Sequence, residues 1–356
     1  MMSLSLYASL LGGWLALALT ALLATGATQA LRVLLAVLFL VLCGVAGGLS
    51  GDVAGCMMET APALALCVWV FGARHEPGNA SRGAAVLPFF LSGIAALAIA
   101  FGRCDLLGLF LGCGLVARLA LAIGPRGLEQ DGWQVLRMEL CGLLMAQGGL
   151  FVLQAGWGHM QDQAGAILLV GGLLLACAIM GRPGQAGPGW NMEILAVLPV
   201  VARAGGMWPV LLPVLTFMGC VCLSWVVLSR RERISGGGYW AGWAVLAAGL
   251  PDGGMGGLPL AACLLVMACM PLSDALPEGY MTWPPFLPGM AAGLVLVGEM
   301  GTMAPVAFAA GASLWPMLAA RGRAGHGGRP WVQATLLLVI GCAVLATVAY
   351  RVGRGS

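Results

Sequence analysis

The sequence predicts an all-α membrane protein: a polytopic transmembrane helical bundle of about fourteen spans, in a single membrane domain over residues 1–356. Three observations predict it. Hydrophobic residues make up 60% of the 356 and charged residues only 9%, with a mean hydropathy of +0.96. A soluble domain carries about 25% charged residues. Apolar runs recur near the roughly 20-residue length that a helix needs to cross the hydrocarbon core. The runs do not alternate in polarity as the ten-residue strands of a β-barrel would. Backbone groups in lipid must be satisfied within their own segment, which leaves helices.

In chain order, residues 4–25 read as the first span. No basic region precedes them, and Leu4 to Leu23 is longer than the apolar part of a normal secretory signal, the alternative reading. Residues 30–49, 54–73, 84–102, 105–123, 134–155 and 164–181 supply spans two to seven. Residues 192–207, 209–228, 239–250, 257–270, 284–300, 303–319 and 331–349 supply the rest, the eighth, tenth and eleventh being short. Proline and glycine interrupt the pattern twice, at Gly181 to Trp190 after span seven and at Pro277 to Gly289 entering span twelve. Broken helices are therefore expected near spans seven and twelve, since non-helical backbone at membrane depth survives where protein or water covers it. An ordinary loop is the other reading of each break.

Arginine orients the bundle. Loops after odd-numbered spans hold Arg74, Arg82, Arg126, Arg182, Arg230, Arg231, Arg233, Arg321, Arg323 and Arg329, with Arg32 just beyond the first loop. Loops after even-numbered spans hold Arg103, and the C-terminal tail holds Arg351 and Arg354. Basic residues mark the cytoplasmic side, so both termini are expected on the periplasmic side of a bacterial inner membrane.

Little conventional chemistry is written in the chain. Twelve cysteines form no CxxC pair and sit mostly inside spans, where thiols act as small buried hydrophobes. His75, His159 and His326 fall in loops. No metal site, cofactor, catalytic constellation or nucleic-acid partner is expected. Ionisable residues within spans are the candidates for function: Arg118, Arg137, Glu139, Glu193, Arg203 and Glu299. Arg137 and Glu139 stand two apart and should point to different sides of span six. Arg118 and Glu139 are a candidate pair between spans five and six. Every one of the seventeen basic residues is arginine, which does not release its proton in proteins. A proton relay here could rest only on carboxylates, water and neutral polar groups.

Several segments, in order, resemble the antiporter-like membrane subunits of respiratory complex I and membrane hydrogenases, most of all the N subunit of NADH-quinone oxidoreductase. Asp105 to Ile123 (DLLGLFLGCGLVARLALAI) is similar to the family's fifth span, and Glu129 to Trp157 to its sixth. Ile194 to Gly205 (ILAVLPVVARAG) resembles the span with the motif VxPKxA. Leu215 to Trp243 and Trp283 to Trp315 resemble the later helices, including a broken twelfth span. The resemblance covers roughly residues 100–318. Its departures are systematic: the family's span-five glutamate falls on Gly114, and its lysines fall near Ala176 to Ala178, on Val200 and near Gly293. The span-ten histidine falls on Trp240. Arg137 alone keeps a charge at a basic family position.

The resemblance implies a degenerate, non-pumping paralogue in the membrane arm of a redox-driven proton-translocating complex. It would be at most a non-catalytic subunit, with other membrane subunits and the lipid bilayer as partners and quinone nearby. An independent proton-coupled secondary transporter, using Glu139, Glu193 and Glu299, is the alternative.

Overall fold

A computed structural model of the chain describes residues 4–25, 28–50, 53–72, 82–122, 130–177, 189–228 and 236–249, with 257, 260, 261, 263–265, 267 and 268. Among the described residues there are ten named helices and no strand. They are α1 (Leu4–Thr25), α2 (Gln29–Ser50), α3 (Val53–Gly72), α4 (Arg82–Phe101), α5 (Cys104–Ala122), α6 (Gln130–Ala155), α7 (His159–Ala176), α8 (Gly189–Ala204), α9 (Leu211–Leu228) and α10 (Gly236–Ala248). The described residues between 260 and 268 are all helical as well, within the expected eleventh span. Expected spans twelve to fourteen and the break at 277–289 lie outside the described residues, as do residues 181–188 of the first break.

Among the described residues two helices are long and apolar enough to cross a membrane: α2 over Gln29–Gly47 and α6 over Leu136–Ala155. Only 28% and 33% of these windows is buried inside the bundle. Much of the remainder faces outward and is mostly apolar, with Arg137, Gln147 and Gln154 also exposed on α6. On α2, Leu34, Val37, Leu38, Val41 and Val45 are exposed at the helical spacing of one face. On α6, Leu144 and Phe151 stand exposed one heptad apart.

Three antiparallel hairpins organise the helices, and glycine seals each one. In α6–α7 the backbones touch: a Cβ at Gly142 would lie 2.5 Å from the Ala176 nitrogen and 2.7 Å from the Gly172 carbonyl oxygen. A Cβ at Gly149 would collide with Leu169 and Gly165. Small residues seven apart on both helices thus let the two helices approach to backbone contact. In α9–α10, a Cβ at Gly219 would meet Leu246, and one at Gly249 would lie 2.5 Å from Thr216 Oγ1. The Thr216 hydroxyl is shared between the carbonyls of Leu212 (3.0 Å), on its own helix, and Gly249 (3.2 Å), on the facing chain. In α2–α3, Gly47 accommodates Cys56, the Cys67 thiol donates to the Ala36 carbonyl at 3.3 Å, and Gln29 Nε2 donates to the Val70 carbonyl at 2.9 Å.

α8 is the hub. It contacts α3, α4, α5, α9 and α10, and every residue from Met192 to Val201 is buried. A helix apolar all round belongs in a core, and ILAVLPVV is that sequence. α4 is tied to α3 by Ser92, whose buried hydroxyl donates to the Pro62 carbonyl at 2.8 Å. At the other end of α4, Gly102 takes a left-handed φ of 62° and donates to the Ala98 carbonyl. That is the glycine stop that closes many helices.

Candidate functional site

The interior charges define the candidate site. Among the described residues the buried polar or charged ones are Ser92, Glu139, Glu193 and Thr216, none of them basic. Ser92 and Thr216 have interhelical roles, so the two carboxylates remain.

Glu193 sits on the fifth residue of α8 and is wholly buried. Its carboxyl reaches across to α5, where Oε1 occupies the place that a side chain at Gly114 would take. The same added Cβ would lie 3.4 Å from Leu91 Cδ2 on α4. The carboxyl therefore lies in a slot between α4, α5 and α8 that exists because residue 114 has no side chain. Two contacts set the register of the slot. The Cys104 thiol of α5 lies 4.0 Å from the Val200 carbonyl of α8. Beyond it, Arg203 Nη1 donates to the Ile99 carbonyl at 2.6 Å, satisfying one of the carbonyls that the end of α4 leaves open. A cation at a helix C-terminus also complements the helix dipole. Arg203 is thereby a cap joining α8 to α4.

Glu139 is buried on α6, whereas Arg137, about 200° away around the helix, is exposed. Arg118 belongs to α5, one turn after Gly114. Glu299 and Gly293 lie outside the described residues, as does Ala178. Val200 and Ala176 are buried, and Trp240 belongs to α10. Where the resemblance expects basic residues, the described interior at 176 and 200 is therefore apolar. The structure adds one carboxylate that the charge inventory leaves out: Glu59, partly buried on α3. A lone acid seven residues into the twenty-residue apolar helix was its sequence signal.

Where α4 hands over to α5, Arg103 Nε donates to Asp105 Oδ1, on the first turn of α5, at 3.1 Å. The carboxylate raises the guanidinium pKa further above its ordinary value. Both side chains are largely exposed. His159 is exposed at the start of α7, and His75 and His326 lie outside the described residues. Among the described residues no three histidine, cysteine, aspartate or glutamate side chains cluster as metal ligands. Between α7, α8 and α9 a small cavity is lined only by apolar residues, among them Val170, Leu174, Val197 and Leu215.

Comparisons with protein-family models, curated proteins and solved structures give no match.

Proposed function

We propose that the chain is a multi-pass protein of a bacterial inner membrane, with about fourteen spans and both termini periplasmic. In this reading it is a structural, non-pumping subunit in the membrane arm of a complex-I-like or hydrogenase-like proton-translocating complex. Its partners are the neighbouring membrane subunits and lipid, with quinone close by, and it carries no cofactor of its own.

The observation that carries the reading is the apolar hub. α8 is the helix on which the resemblance expects a lysine, and it is buried and uncharged at Val200. The chain contains no lysine with which to replace it. A pump needs a connected series of groups that change protonation. Among the described residues the buried charged ones are two carboxylates, Glu139 and Glu193, and none is basic. The outward apolar faces of α2 and α6 support membrane embedding, because a core helix of a soluble protein would bury most of such a window.

Affinity purification of the tagged chain from native membranes in mild detergent tests this. Co-purification of further membrane subunits is expected, and recovery of the chain alone as an active monomer would refute it. The second reading, an independent proton-coupled transporter, draws on buried Glu193. It requires substrate uptake by the isolated protein in liposomes, reduced by Glu193→Gln or Glu299→Gln.

A further inference from the structure

We propose that the tip of the α6–α7 hairpin, built on Trp157 with Phe151 and Met160, is a lipid-anchoring site that seats in the headgroup layer of the bilayer. The inference rests on the membrane reading above and names the contact that this hairpin makes.

α6 carries a 20-residue apolar window ending at Ala155. At about 1.5 Å rise per residue it covers about 30 Å, the thickness of the hydrocarbon core. The residues that follow it therefore emerge at the polar boundary. They form the turn Gly156-Trp157-Gly158, in which Gly156 has φ 61° and Gly158 φ 126°. Both values favour glycine, so the backbone presents a tryptophan between two residues that hold the turn. Trp157 packs edge-to-face on Phe151 with ring centroids 5.9 Å apart, yet the two side chains stay 61% and 62% exposed. Phe151 is one heptad beyond Leu144, itself exposed. The indole thus extends the outward apolar face of α6 to its polar end. Met160, on the first turn of α7, is 80% exposed.

The exposed polar residues around these are Gln154, His159, Gln161 and Gln163. No arginine stands between Arg137 and Arg182, so the hairpin tip carries no cationic side chain of its own. An amphipathic ring at the end of a membrane-length helix, in a turn with no basic residue, matches the zwitterionic interface itself, where tryptophan is enriched.

The experiment uses full-length protein labelled with 5-fluorotryptophan in phosphatidylcholine nanodiscs. The Trp157 fluorine resonance is assigned by its loss in Trp157→Phe. Lipid bearing a headgroup nitroxide should broaden that resonance, equally when a third of the lipid is phosphatidylglycerol. Broadening by a water-soluble gadolinium chelate with none from the labelled lipid would overturn the proposal. Protection from both probes, as a covering protein would give, would overturn it as well. Retention of the chain in membranes after alkaline extraction is measured alongside. Release would refute the membrane reading itself, whereas retention with an unbroadened Trp157 refutes only the anchor.

Discussion

Replacing Gly142 by alanine tests whether the α6–α7 seam is held at backbone contact. The new methyl would lie 2.5 Å from the Ala176 nitrogen, 2.7 Å from the Gly172 carbonyl oxygen and 3.0 Å from the Ala176 Cα. An ordinary contact begins near 3.4 Å, so the helices must part by about 0.7 Å along the direction of the carbonyl. Every atom in the way is backbone and none can rotate aside. Overpacking of this kind costs about 1–3 kcal/mol, while alanine gains about 1 kcal/mol over glycine in helix propensity. Gly148, on the same helix, has nothing within 4 Å of an added Cβ. Gly148→Ala therefore collects the propensity term without the clash, and the difference between the two variants isolates the seam. Reversible unfolding in mixed micelles, followed by tryptophan fluorescence, should find Gly142→Ala about 1–3 kcal/mol less stable than Gly148→Ala. Equal stabilities would refute backbone contact between the helices.

Gly114→Ala should drive the Glu193 carboxyl from its slot and destabilise the bundle by about 1–3 kcal/mol. Combined with Glu193→Ala it should cost less than the sum of the single changes, a coupling of about 1 kcal/mol or more in a double-mutant cycle. Arg203→Ala removes the cap on Ile99 and should cost about 1 kcal/mol by the same unfolding assay. Ser92→Ala, which loses the bond to Pro62, should cost about 0.6 kcal/mol, the average for hydrogen bonds between membrane helices. Arg103→Ala, at an exposed ion pair, should leave the unfolding midpoint where it was.

Helix positions were legible because lipid and core both demand apolar runs. The residues expected in the first six spans lie within a residue or two of α1 to α5, and within four of the start of α6. The boundary missed most clearly is that of α7, expected from residue 164 but beginning at His159. His159, Gln161, Asp162 and Gln163 form its polar first turn, where the helix has begun but the apolar run has not; hydropathy marks the run and not the helix. Span eight shifts the same way, starting at Gly189 and ending at Ala204, because the αR-compatible stretch around Trp190 and Asn191 is not itself apolar.

The slot at Gly114 was not legible. Gly114 and Glu193 stand 79 positions apart, and their meeting depends on the antiparallel register of α5 and α8, which no local pattern encodes. Arg203 illustrates the same limit: its position at the end of span eight was readable, but its acceptor, Ile99, is a backbone atom on another helix. The opposite sides of Arg137 and Glu139, by contrast, follow from helical geometry alone. Expected spans twelve to fourteen, and Glu299, fall in residues outside those described.

The hairpins also order assembly in time. The two arms of α6–α7 are joined by a three-residue turn and those of α2–α3 by two residues, and contacts so close in sequence close early and fast. α8 is different in kind: its neighbours α3, α4 and α5 leave the ribosome before it, and α9 and α10 after it. A helix whose ten central residues are buried on all sides cannot be seated until a cleft stands open to receive it. The paired helices must therefore remain separable after each has formed, and closing them around α8 is the step at which this bundle becomes a single body.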